Sequence, residues 1–194
     1  MSTWKKITGS GLAVLGILVV GLAKQAQAVS TTDTIHITVT VDVVSVNIAT
    51  TTWAIGSVTP GSINISSAIP VENDGNRQED YRLSLAYVSG WTIGITTTPA
   101  TNTFVLLALF TTTPTGSVTD SMFGESSGTD DVITVSPLTA TTTLYAITGE
   151  TDANKGFDVA ASDFQDMFLN FRAPTSNTFT AEQSMTVTVT AIAG

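Results

Sequence analysis

The sequence predicts an all-β protein, a sandwich or barrel of short strands. Three observations carry that expectation. Threonine is abundant while charged residues make up only 12% of the chain. Threonine is β-branched and fits a pleated, half-buried surface better than a helix. Apolar and polar residues alternate with period two from Ile35 to Val43, as in a strand with one wet face. Short apolar or alternating runs then recur between turn signals, with no long amphipathic helix among them.

The alternation of the first strand slips at Val43-Val44, after which Val44, Val46 and Ile48 take the apolar phase. A β-bulge or bend there accounts for the slip. Further strands are expected over 62–70, 81–87, 91–96, 104–110, 132–135, 142–147, 167–172 and 184–192. Thr59-Pro60-Gly61, Asn73-Asp74-Gly75-Asn76, Ser89-Gly90 and Thr113-Pro114-Thr115-Gly116 supply turn chemistry between them. The run 159–168 is ambiguous: one or two helical turns capped by Asp163, or a loop on the sandwich edge.

Residues 1–28 read as a secretory signal peptide. Lys5 and Lys6 open it, 11–23 is an unbroken apolar run, and Ala26-Gln27-Ala28 is a small-x-small cleavage site. The apolar run falls short of the roughly 20 residues a spanning helix needs. The expected division is therefore a signal peptide over 1–28, an N-terminal strand over 29–46, and a β-sandwich domain over 47–194. After cleavage, four cations (Arg77, Arg82, Lys155 and Arg172) stand against 16 carboxylates, a formal charge of −12. Such a surface disfavours nucleic acid and anionic membranes. The chain has no cysteine, which excludes thiolate metal sites and thiol nucleophiles.

The signs of catalysis are poor. Gly124-Glu125-Ser126-Ser127-Gly128 matches G-x-S-x-G. That elbow needs a strand before it and a helix after it, and its histidine follows the serine. Here it lies in an acidic loop, and the one histidine, His36, precedes it. Paired carboxylates suit glycoside hydrolysis, but Trp53 and Trp91 sit among apolar residues and suggest no sugar cleft. The chain reads as a non-enzyme with no obligatory cofactor. Calcium is the one ion worth weighing. Glu150, Asp152, Asn154 and Asp158 place oxygen side chains along a turn containing Gly156, like the first half of a calcium loop. Ala161 stands where the twelfth-position glutamate belongs, and solvated turns are the simpler account. Asp130-Asp131 and Glu72-Asn73-Asp74 are similar turns. Asn64-Ile65-Ser66 is a glycosylation sequon at Asn64.

The ends of the chain are the most informative features. The mature chain would open almost at once on the Ile35–Val43 alternation and close on Met185-Thr186-Val187-Thr188-Val189-Thr190-Ala191. Regular terminal strands need partners for their backbone groups. Either both pair within their own domain, or the first inserts into a neighbouring subunit by strand addition. Such a head-to-tail contact propagates. An early strand followed by Pro70-Val71-Glu72-Asn73-Asp74-Gly75-Asn76 and Tyr81-Arg82-Leu83-Ser84-Leu85 resembles the TasA/camelysin group, and is similar to the archaeal bundling pilins. That resemblance implies a jelly-roll-like antiparallel sandwich and extracellular fibres built by donor-strand complementation. The expectation is a secreted subunit of a surface filament or sheath, a homopolymer with no membrane partner after cleavage. Its donor residues would be Ile35, Ile37, Val39, Val41 and Val43. The competing expectations are a monomeric carbohydrate- or surface-binding module and a calcium-dependent surface-layer or matrix protein.

Overall fold

The fold is all-β and sandwich-like, seen in a computed structural model that describes residues 37–87, 90–111, 118–124, 129–147 and 156–194. The chain divides into two units, Met1–Thr40 and Val41–Gly194. Of the first, only residues 37–40 are described, and they carry no regular secondary structure.

Among the described residues the second unit holds nine strands. They are β1 (Val46–Ile48), β2 (Ile63–Ile65), β3 (Ile69–Asn73), β4 (Glu79–Tyr87), β5 (Thr92–Ile93), β6 (Thr103–Thr111), β7 (Leu138–Thr139), β8 (Phe164–Arg172) and β9 (Met185–Ala193). The larger sheet runs β1-β3-β8-β6-β5, with β2 also paired to β8, and the smaller runs β7-β4-β9. All pairings are antiparallel except β5 with β6.

β6 shows why pattern becomes architecture. Phe104-Val105-Leu106-Leu107-Ala108-Leu109-Phe110 has no polar residue in either phase. A strand can bury such a run only if both faces are covered. Phe104, Leu106, Ala108 and Phe110 enter the main core with Tyr81, Leu83, Leu85, Met167, Leu169 and Phe171. Val105, Leu107 and Leu109 form a second cluster with Phe123, Val132 and Phe168 on the opposite face. β4 keeps strict alternation instead: Tyr81, Leu83 and Leu85 are buried and Arg82 and Ser84 are half-exposed.

The segment covering the second face is latched by charge. Asp120 Oδ1, in a single 3-10 turn (Asp120–Met122), accepts from Arg172 Nη2 at 2.7 Å, Arg172 Nε at 3.1 Å and Asn170 Nδ2 at 2.7 Å. Arg172 Nη1 also donates to Thr97 O at 2.7 Å. The Arg172 side chain is mostly buried while Asp120 is half-exposed, so removing Asp120 strands the guanidinium. Asp120→Ala is therefore expected to cost about 2–3 kcal/mol, read as a lowered urea midpoint with an unchanged slope. A loss below about 0.5 kcal/mol would show that the latch carries no stability.

Of the expected turns, Thr59-Pro60-Gly61 and Asn73-Asp74-Gly75-Asn76 are realised, while Ser89 and Thr113-Pro114-Thr115-Gly116 lie outside the described residues. Pro60 and Gly61 form a turn closed by Ser62 N–H donating to Thr59 O at 3.1 Å, with Gly61 at φ +74°. That is the type II arrangement, which requires a residue with positive φ at its third position. The expected strand over 62–70 is broken. Ile65 faces Asn170 and Ile69 faces Met167, four steps against three. The extra residue falls between Ser66 and Ile69: Ser66 still follows the β2 register, its N–H donating to Leu169 O at 2.9 Å and its Oγ accepting from Leu169 N at 2.9 Å.

Three expectations fail. Residues 164–168 are not helical: β8 begins at Phe164, and Asp163 Oδ1 accepts from Phe164 N at 2.9 Å at the strand's start. β8 is flanked by β3 and β6, so sheet pairing overrides local preference there. The strands expected over 132–135 and 142–147 reduce to isolated bridges, Leu107 to Val132 and Phe110 to Ala146. The first strand is shorter than its alternation suggests, because residues 41–45 carry no strand and β1 starts at Val46.

Candidate assembly site

Among the described donor candidates, Ile37 is 82% exposed, Val39 78%, Val41 71% and Val43 49%. These are β-branched apolar side chains at every second position, left in water. Isolated exposed apolar residues are ordinary, and a periodic row of four makes this segment a candidate interaction surface. Ile35 and His36 lie outside the described residues.

The base of this segment is held by the turn between β3 and β4. Asn76 Oδ1 accepts from Val43 N at 2.8 Å, Asn76 Nδ2 donates to Val41 O at 2.7 Å, and Asn76 N donates to Val43 O at 3.1 Å. Asp74 N donates to Ser45 O at 3.1 Å, and Ser45 N donates to Glu79 Oε1 at 2.6 Å. Arg77 Nη1 meets Asp42 Oδ2 at 3.1 Å. Polar groups of one turn thus take the backbone groups of Val41, Val43 and Ser45 that a sheet would otherwise pair.

The turn itself is organised by Asn73, which is fully buried. Its Nδ2 donates to Arg77 O at 2.8 Å and Val159 O at 2.9 Å, and its Oδ1 accepts from Gly75 N at 3.0 Å. A Cβ on Gly75 would run into the Glu79 carboxylate, so only glycine lets the turn close over that side chain. Glu79 is buried and its pKa is raised. Desolvation is the main cause, and the Asp74 charge adds to it. The Ser45 amide and the Arg77 charge pull the other way. Asn76→Ala should leave the fold intact at a cost of about 1 kcal/mol and release residues 41–43. The measurement is hydrogen exchange at the Val43 amide. Unchanged protection would remove Asn76 from the clamp.

The remaining sequence candidates are scattered. Glu150, Asp152 and Asn154 lie outside the described residues. Asp158 is exposed at φ +53°; its N–H donates to Asp80 Oδ1 at 2.8 Å and its carbonyl accepts from Gln78. Among the described residues no three acidic or histidine side chains gather as a metal site would require. Asn64 is half-buried in β2 with Nδ2 at 3.5 Å from Ser62 Oγ, and its sequon serine is the buried Ser66. Of Gly124-Glu125-Ser126-Ser127-Gly128 only Gly124 is described, and its N–H donates to Asp131 Oδ2 at 2.6 Å. Trp91 is half-buried, stacked on Phe171 at 6.0 Å, with Nε1 donating to Asn177 Oδ1 at 2.9 Å. Trp53 is half-buried against the main core.

Asn76, Arg77 and Glu79 were not foreseen as anchors. Their sequence signal was an ordinary asparagine–glycine turn, and nothing in the sequence says that its polar side chains reach back to residues 41–45. No helix among the described residues is long and apolar enough to cross a membrane. Comparison with protein-family models and with curated proteins gives no match.

Proposed function

We propose that this chain is an exported structural subunit of an extracellular filament or sheath. It would lose residues 1–28 and polymerise head to tail by adding its N-terminal segment, Ile35 to Val43, to the sheet of the next subunit. The observation that carries this reading is the exposed period-two row of Ile37, Val39, Val41 and Val43 above a clamped base. Burying such side chains contributes roughly 1.5–3 kcal/mol each. Four of them give about 6–12 kcal/mol, comparable to the 4–15 kcal/mol that association costs. Backbone pairing along the added strand supplies the surplus. The acidic mature surface fits self-association within a threonine-rich assembly better than a nucleic-acid or membrane partner.

Negative-stain microscopy of the purified protein, beside light scattering, tests the reading. Extended fibres that resist a calcium chelator are expected. Monodisperse monomers at all concentrations would refute it in favour of a monomeric binding module. Fibres or sheets that dissolve on chelation would point instead to a calcium-dependent matrix protein using turns such as the one holding Asp158.

A further inference from the structure

We propose that the outer edge of β9 is the acceptor for residues 37–43 of a second copy of this chain, which adds as a fourth strand to the β7-β4-β9 sheet. This rests on the strand-addition reading above and names its receiving surface.

Edge length comes first. β1 has three residues, β5 two and β7 two, whereas β9 has nine. β9 pairs with β4 through all nine, from Glu79 with Ala193 to Tyr87 with Met185. Among the described residues no strand pairs with its other side. Long edges are normally protected by a charge, a proline or a bulge. Met185–Ala193 contains no charged residue and no proline, and its register with β4 is unbroken. An edge this long and bare suits a surface that is covered in the assembled state.

The side-chain pattern supplies the second argument. Met185, Val187 and Val189 pack against the main core yet stay half-buried, while Thr186, Thr188 and Thr190 are exposed. β1 borders β9 without pairing to it, and its Val46 and Ile48 are also only half-buried. The core is thus incompletely closed along this side. The incoming segment has the same design. Thr38-Val39-Thr40-Val41 repeats the alternation of Thr186-Val187-Thr188-Val189. With Ile37, Val39, Val41 and Val43 directed into the opening, Thr38 and Thr40 would continue the threonine face of β9. Cross-strand threonine pairs are favourable. Asp42 is the one charge in 37–43, and it would stand on the wet face.

The occupant is a second copy because these groups are committed elsewhere in their own chain. Val41 and Val43 are exposed and tied to Asn76 by their backbones, so they do not fill the opening beside their own β9. A strand directs the backbone groups of successive residues to opposite sides. The Asn76 clamp takes the side used by Val41 and Val43, and leaves the side of Thr38, Thr40 and Asp42 for pairing.

The natural absence of cysteine makes the test direct. T40C protein is mixed with T186C, T188C or T190C protein during assembly and mildly oxidised. N47C on β1 and T92C on β5 sample the two ends of the larger sheet. All six positions carry polar side chains, and each of the five edge positions is exposed. A disulfide needs Cα atoms about 4.4–6.8 Å apart, so only a paired or adjacent strand is captured. The expected result is a covalent dimer between T40C and at least one β9 variant, and none with N47C or T92C. Cross-links to N47C or T92C in intact polymer would overturn the β9 assignment and leave strand addition standing. Polymer with no cross-link at any of these five edge positions would overturn the β9 assignment, and no polymer at all would overturn both. So would ring closure within a diluted T40C/T188C double variant, because the segment would then complete its own sheet.

Discussion

Deleting residues 31–40 is expected to abolish polymerisation while leaving a folded monomer. The cut falls at the boundary between the two units, Thr40 and Val41. It removes Ile35, Ile37 and Val39 and spares the clamp. Sedimentation velocity should show a single monomeric species, and the thermal transition should stay cooperative. A longer deletion, 31–45, is expected to behave differently. It takes away Val43 and Ser45, so Glu79 loses the 2.6 Å donor that meets it in its buried position. A buried carboxylate left without its donor costs about 1–3 kcal/mol or more. The second variant should therefore be both unpolymerised and destabilised. Replacing Ile37, Val39 and Val41 together by serine should reproduce the first phenotype at full length. Filaments that persist in the 31–40 deletion would eliminate strand addition by this segment.

The second large effect is a dependence of stability on pH through Asp131. This carboxyl is fully buried, and its pKa is raised to about 7. Desolvation is the main cause and the neighbouring Asp130 charge adds to it, while the backbone amides of Gly124, Tyr145 and Ala146 oppose them. Among the described residues its Oδ1 meets no hydrogen-bond donor and the buried Tyr145 hydroxyl meets no partner. Tyr145 also holds φ +60°, a strained conformation for a bulky residue. The folded state binds the proton more tightly than the unfolded chain, whose aspartates titrate near 3.9. The stabilising contribution is thus fully present below about pH 4 and is lost as pH rises to about 7. Three pKa units correspond to about 4 kcal/mol at most. Glu79 and Asp166 are also raised by burial and act in the same direction. Urea unfolding at pH 4.5 and pH 8 should show higher stability at the acidic value. In Asp131→Asn that difference should shrink to what Glu79 and Asp166 contribute, whatever the constant offset the amide introduces. An unchanged slope in the variant would mean Asp131 is not the titrating group.

The strand content was legible because threonine-rich alternation and glycine or proline turns act within a few residues. The run 104–110 announced a central strand by having no polar phase, and β4 announced one wet face by keeping one. The sequence was less informative where contacts are distant. Residues 132–135 and 142–147 have strand composition but pack across a sheet face, where side-chain burial rather than ladder pairing satisfies them. At 159–168 local composition allowed a helical turn, yet β3 and β6 on either side draw 164–172 into the larger sheet. Of the candidate assembly site, the apolar row was visible as a period. The clamp was not, because Asn76 and Glu79 meet residues about 34 positions away in the chain.

By itself the sequence determined the class of the fold and the two-faced character of its terminal segments. Both depend on side-chain chemistry repeated every second residue. Only the tertiary structure decided which strands neighbour which, leaving β9 as a long edge and the row from Ile37 to Val43 exposed. Pairing is a competition among all strands for a limited number of edges, and no local pattern records which strand is left without a partner.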